Sequence, residues 1–195
     1  MQLKILALNG SPRKDGNTSA LLKLAMLPLT QAGVQAEIIH IAQRPLRGCC
    51  ACMQCFKHKD GKCHLPEDGL NDIIEKMRSS HAVFIGSPTY FADVTPEVKA
   101  FIDRAGFVSS ANGHIFRRMP GAAVVAVRRA GAIHAFDTIN HFFGISQMVT
   151  VGSSYWNIGI GREPGAVEKD PEGCKTMATL GENMLWLLQA IHGDK

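Results

Sequence analysis

Five short apolar runs punctuate the chain, and each gives way to turn-forming residues and then to helical spacing. Lys4 to Leu8 is the first and ends in Asn9-Gly10-Ser11-Pro12. Val34 to Ile41, Ala82 to Gly86, Ala122 to Val127 and Gln147 to Val151 repeat the theme. The run at 122–127 is apolar throughout, as in a strand covered on both faces. Between these runs apolar residues recur at helical intervals. A helix is expected from Thr18 to about Met26, with Asn17 or Thr18 as its cap and Pro28 kinking or ending it. Leu70, Ile73, Ile74 and Met77 mark a second helix. Thr95-Pro96-Glu97 opens a third, with Val98, Phe101, Ile102 and Ala105 on its buried face. Ile133, Phe136, Ile139 (or Asn140) and Phe143 stripe a fourth. Met177, Leu180, Met184, Leu187 and Ile191 stripe the last.

Strand and helix therefore alternate five times, which predicts an α/β fold with a doubly wound five-stranded parallel sheet. Five strands favour the flavodoxin-like order 2-1-3-4-5 over a six-stranded dinucleotide fold. The 195 residues suffice for one domain with a real core, here taken as 1–195 with a cysteine-rich loop at 46–65. A net charge of +4 without a basic stripe suits anionic small molecules and argues against nucleic acid. No apolar stretch approaches the roughly 18 residues of a membrane span. The first run is too short for a signal peptide and has no cleavage site, so a cytoplasmic protein is expected.

The turn after the first run is rich in donors. Ser11, Thr18 and Ser19 carry hydroxyls, Asn17 an amide and Arg13 a guanidinium. Gly10 and Gly16 let the backbone curl. A helix N-terminus at the carboxyl end of a strand is a natural anion site. No Gly-Lys-Ser/Thr closes the loop, and Gly-x-Gly-x-x-Gly is absent, so a single terminal phosphate, as on FMN, is the expected guest. The bland alternative is a well-capped turn that binds nothing. Ser87-Pro88-Thr89-Tyr90-Phe91-Ala92-Asp93 follows the third run. Backbone groups of Thr89 and Tyr90 are expected to read a ring edge, and Tyr90 or Phe91 to stack on it, unless both aromatics are ordinary packing residues. Arg128-Arg129-Ala130-Gly131 follows the fourth run. An arginine there would stabilise an anionic reduced ring, receive a NAD(P)H phosphate, or simply be solvated.

Leu-Asn-Gly-Ser-Pro-Arg-x-x-Gly-Asn-Thr at 8–18, Gly-Ser-Pro-Thr-Tyr at 86–90 and the continuation 93–104 resemble the NADPH-dependent FMN reductase group of flavodoxin-like proteins. The resemblance implies FMN, with its phosphate near Ser11, Arg13, Asn17, Thr18 and Ser19. It places the ring near Pro88, Thr89, Tyr90 and Phe91, with Asp93, Arg128 and Gly131 beside them. It also implies NAD(P)H as electron donor and a homodimer or homotetramer with the flavin near a subunit boundary. On this reading the cofactor carries the chemistry and no catalytic side chain is demanded.

The loop at 46–65 contains Cys-x2-Cys-x2-Cys-x7-Cys. In a reducing compartment such cysteines serve metal or redox chemistry. The pattern is similar to that of the iron–sulfur flavoproteins, which implies Cys49, Cys52, Cys55 and Cys63 as ligands of a [4Fe–4S] cluster and Cys50 as a bystander. Zinc and free or reversibly oxidised thiols are the competing readings. His58 and His64 flank the loop. Cys174 stands alone before the last helix as a structural thiol. Tyr155 to Asn157 lie in a Gly-rich segment that would cover a neighbouring flavin or pack as surface. With a cluster, the protein would be an electron carrier fed by ferredoxin; without one, a reductase passing electrons to a flavin, quinone or iron–sulfur acceptor.

Overall fold

The computed structural model describes residues 2–193. A parallel sheet runs in the order β2-β1-β3-β4-β5, with β6 paired to β4. Its strands are β1 (Lys4–Asn9), β2 (Gln35–His40), β3 (Ala82–Pro88), β4 (Pro120–Val127), β5 (Val149–Thr150) and β6 (Ile158–Ile160). The helices are α1 (Asn17–Gln31), α2 (Gln54–His58), α3 (Leu70–Arg78), α4 (Pro96–Ala111), α5 (Ala132–Ile145) and α6 (Pro171–His192). The flavodoxin-like order read from the sequence is the one observed.

Side chains on a strand alternate between faces, and here both faces are covered. Leu6 and Leu8 of β1, Val83 and Ile85 of β3, and Val125 and Val127 of β4 pack with α3, α4 and α5. Ile5 and Ala7, Ala82 and Phe84, and Val124 and Ala126 pack with α1 and α6. Each fully buried Leu, Ile, Val or Phe contributes about 1.5–3 kcal/mol.

Four expectations need correction. The fifth strand is not continuous from 147 to 151. β5 pairs with Pro120 and Gly121, and β6 pairs with Val125 to Val127, so two short strands share one position. α1 does not stop at Pro28 but runs through it to Gln31, because its buried face packs on α6. Gly181 lets α6 approach there: a Cβ at that position would lie 2.3 Å from the Ala25 carbonyl oxygen. α5 buries Ala132, Ala135, Ile139, Phe142 and Phe143, whereas Ile133 is exposed. In α6 the buried stripe continues to Leu188, with Leu187 only partly buried and Ile191 exposed, and Cys174 lies inside the helix. No described helix is long and apolar enough to cross a membrane.

Candidate functional site

The turn between β1 and α1 is built by short local hydrogen bonds. The Ser11 N–H donates to Asn9 Oδ1 at 2.9 Å, and the Arg13 N–H to Ser11 Oγ at 3.2 Å. Gly10 N–H donates to the Gly86 carbonyl at 2.8 Å. Thr95 then joins the two loops: its hydroxyl donates to the Gly10 carbonyl at 2.9 Å, and its N–H to Ser87 Oγ at 3.1 Å. Asn9 also meets His40 at 3.2 Å. Burial and then the Lys14 charge push the His40 imidazole below its ordinary range, against the opposing pull of Asp15.

The helix that follows has an open end. Its cap is Gly16 rather than Asn17 or Thr18, and no side chain caps it. The first N–H groups of α1 therefore lack the usual side-chain partner. The Thr18 hydroxyl and Asn17 Oδ1 are buried with no hydrogen-bond partner among the described residues. Such orphans cost free energy unless a ligand or water satisfies them. Asn17 Nδ2 is already spent on the Gly161 carbonyl at 3.0 Å. A Cβ at Gly16 would lie 3.1 Å from Arg13 Cβ and 3.3 Å from the Arg13 carbonyl, so the turn is as tight as glycine allows.

Ser11, Arg13, Asn17, Thr18, Pro88, Thr89, Tyr90 and Arg128 line one cleft of about 180 Å³, closed on one side by Gly161 and Arg162. Ser19 is buried behind it, and Phe91, Asp93 and Gly131 stand outside its walls. Two detailed expectations change here. The Thr89 N–H donates to the Ala126 carbonyl at 2.9 Å and the Tyr90 N–H to the Asp93 carbonyl at 2.8 Å, so neither is free to read a ring edge. Asp93 Oδ1 accepts from the Val94 N–H and the Thr138 hydroxyl, both at 2.7 Å, and so braces the loop against α5. The loop folds back through Phe91 and Ala92, both at positive φ, and leaves Phe91 fully exposed at its tip. Gly131, at φ 86°, caps α5, where a Cβ would press on Ala92 at 3.2 Å. A second cleft of about 370 Å³ adjoins the first, walled by Arg129, Ile133, Tyr155, Trp156 and Ile160.

The donor chemistry fits a ribityl phosphate. A hydroxyl and several N–H groups without partners suit phosphate oxygens. An unpaired carbonyl oxygen on Asn17 suits a sugar-chain hydroxyl, which a bare phosphate cannot offer.

On the other side of α4, all five cysteines of the loop line one cavity with Arg104 and Phe107. Ala51 and Met53 adopt the left-handed conformation and curl the backbone, and the Ala51 N–H points at Cys49 Sγ at 3.5 Å. Cys49, Cys50 and Cys52 are exposed, while Cys55 and Cys63 are half-buried. Burial pushes the Cys55 thiol up, with further contributions from Cys63 and Cys52, though neighbouring backbone N–H groups oppose the rise. Among the described residues no three of these groups could share one metal ion. The donor set around the cavity, five cysteine thiols and no carboxylate, is the kind that iron–sulfur clusters take. The cavity holds about 20 Å³ as folded. Cys63 is already fixed, its N–H and carbonyl both bonded to the Asn71 side chain at 2.8 and 3.0 Å. His58 and His64 stack on each other at 4.3 Å, and His64 meets Asp60 at 3.2 Å.

Sequence reasoning missed Gly161 and Arg162, which arrive from the unforeseen β6, and Arg104, whose burial depends on partners far along the chain. Only the Gly-rich composition of 152–165 hinted at the former.

Residues 3–163 match the family described as NADPH-dependent FMN reductase. The chain is 31% identical over 196 residues to an iron–sulfur flavoprotein of Methanocaldococcus jannaschii, covering 97% of this chain and 99% of that protein. Among solved structures it is similar to RosB, bound to 8-demethyl-8-formylriboflavin-5'-phosphate, with a TM-score of 0.75 at 16% identity over 98% of this chain and 82% of that one. It is also similar to a flavodoxin, WrbA-like protein from Agrobacterium tumefaciens, with a TM-score of 0.64 at 12% identity over 97% of this chain and 99% of that one. The chain belongs to the NADPH-dependent FMN reductase family, a family of FMN-dependent oxidoreductases, and carries its chemistry on a flavodoxin-like fold.

Proposed function

We propose that the protein holds FMN in the cleft between the β1–α1 and β3–α4 loops and passes electrons from NAD(P)H to an acceptor such as a flavin, a quinone or an iron–sulfur centre. The observation that carries this reading is the open end of α1, where the buried Thr18 hydroxyl and Asn17 Oδ1 lack partners beside Ser11 and Arg13. FMN held there would supply the redox chemistry, as a group able to accept a hydride and pass electrons on. Ser11, Arg13, Thr18 and the first turn of α1 hold the phosphate. Asn17 accepts from the sugar chain, and Ser19 supports the turn from behind. Pro88, Thr89 and Tyr90 form the wall against the ring, and Phe91 stands exposed at the tip of their loop. Asp93 and Gly131 set the loop that carries these residues. Arg128 and Arg162 make the mouth cationic and draw in an anionic nucleotide.

The donor is proposed to be NADPH or NADH, in keeping with the family's description. A homodimer or homotetramer in the cytoplasm is proposed as well. The exposed Phe91, Tyr155, Trp156 and Ile160, gathered near the cleft, are the support for assembly.

A second reading is favoured by the cysteine cavity and by the similarity to iron–sulfur flavoproteins. Cys49, Cys52, Cys55 and Cys63 would ligate a [4Fe–4S] cluster, and ferredoxin rather than a nicotinamide would feed the protein. Anaerobic stopped-flow mixing of the FMN-loaded protein with NADPH and with NADH separates the two. Flavin that bleaches within seconds supports the reductase. Flavin untouched by either nucleotide but reduced by ferredoxin supports the carrier. A protein that takes up no FMN at all overturns both.

A further inference from the structure

Arg104 sits midway along α4 and is 1% exposed. A buried guanidinium is tolerated only when every donor is engaged. Here Nη1 and Nη2 both donate to Asp68, the latter at 3.2 Å, and Nη1 also donates to the Arg47 carbonyl at 3.1 Å. Nε–H has a different target: it points at Cys63 Sγ, 3.3 Å away. A neutral thiol is a poor acceptor, whereas a thiolate or a metal-bound sulfur is a good one. Cys63 is otherwise clamped at both its backbone groups by Asn71, so its sulfur is presented to the cavity in one orientation.

The geometry points to Arg104 as a positioning residue of the cysteine site. We infer that it fixes the Cys63 sulfur and offsets the negative charge of the thiolate set, so that it raises the reduction potential of the cluster and slows loss of iron. Hydrogen bonds to ligand sulfurs and the net charge nearby are among the factors that set such potentials. Asp68 acts in the opposite sense, as the countercharge that moderates Arg104. The inference rests on the reading that Cys49, Cys52, Cys55 and Cys63 ligate a cluster.

The test uses the full chain, loaded anaerobically with FMN, iron and sulfide, as wild type, Asp68→Asn and the double variant Asp68→Asn/Arg104→Met. FMN content reports an intact fold. Redox titration followed by electron paramagnetic resonance gives the cluster potential, and a chelator challenge gives the rate of iron loss. The cluster potential is expected to rise in Asp68→Asn and fall in the double variant, while the flavin potential stays put. Iron loss from the double variant should be about 10-fold faster or more. Arg104→Lys, which keeps the charge but not the fork, should recover part of the potential. If the double variant fails to take up FMN, Arg104→Lys decides, since it keeps a positive charge beside Asp68 but lacks the Nε–H aimed at Cys63: a cluster potential and an iron-loss rate equal to wild type overturn the role of Arg104. Equal cluster potentials in FMN-loaded forms overturn the role of Arg104. A wild type that takes up FMN but neither iron nor sulfide overturns the cluster reading beneath it.

Discussion

Thr18→Val removes one hydroxyl and adds one methyl at a position that is 1% exposed. The branched shape that packs against Gly86 is kept. Among the described residues the hydroxyl is buried without a partner, and a buried polar group left unmet costs about 1–3 kcal/mol. Valine should therefore stabilise the FMN-free protein by about 1 kcal/mol, a rise of roughly 2–4 °C in Tm for a chain of this size. In the loaded protein the same change deletes a charge-assisted hydrogen bond to a phosphate oxygen, worth about 1.5–3 kcal/mol. FMN affinity should fall roughly 10- to 150-fold. Calorimetric melting of stripped protein and fluorescence titration with FMN measure the two effects. The signature is their opposite sign: a more stable apoprotein that binds its ligand worse. Unchanged FMN affinity, or a stripped variant that melts earlier than wild type, would refute the assignment of Thr18 as a phosphate donor.

Other outcomes follow from the same contacts. Gly10→Ala places a Cβ 2.1 Å from Val98 Cγ2 and 3.0 Å from the Gly86 carbonyl, so chemical denaturation should show a loss of about 1–3 kcal/mol from overpacking. Asp68→Ala leaves Arg104 buried without its countercharge and should cost about 3–5 kcal/mol in the same assay, much of it recovered by adding Arg104→Met. His40 and His81 both have imidazoles held below the ordinary range, chiefly by burial. The unfolded chain therefore binds protons first as pH falls below about 6.5, and Tm should decline across that window, less so in His81→Gln. Asp68 is held below the ordinary carboxylate range because its bonds to Arg104 and the Arg47 N–H outweigh the effect of burial, so a further loss should appear below about pH 4.

What the sequence made legible was mostly local. The apolar runs that became β1, β3 and β4, the donor-rich turn after β1 and the crowding of five cysteines are each written in consecutive residues. What escaped depended on partners distant in the chain. Arg104 follows Asp103 on α4, and nothing in that pair says which one is buried; Asp68, 36 residues away, decides it. The face of α5 is set by its packing on β4, β5 and α4, which buries Ala132 and Ala135 and turns Ile133 outward. The fate of the Thr89 and Tyr90 N–H groups was likewise decided by β4 and by the tight return at Asp93. Pro28 would end an isolated helix, but the packing of α1 on α6 outweighs the one hydrogen bond it forfeits.

α4 explains why both sites belong to one molecule. At its start Thr95 bonds to Gly10 and Ser87, and so holds the β1–α1 and β3–α4 loops at the proposed flavin cleft. Further along, Arg104 reaches Cys63 and Asp68 at the cysteine cavity. From residue 95 to residue 104 the helix rises about 14 Å. No glycine or proline interrupts it between Pro96 and Arg104, and Val98 and Phe101 anchor that stretch in the core. Electron exchange weakens steeply with separation, so two redox sites on independent loops would drift in and out of contact. Two sites tied to one buried helix keep a single spacing. Cys55 and Cys63 are half-buried, one on α2, which packs on α4, and the other beside Arg104, whereas Cys49, Cys50 and Cys52 are exposed. On the proposed reading, α4 holds the buried part of the cysteine site at one distance from the flavin cleft, and that single spacing is what electron transfer between them would need.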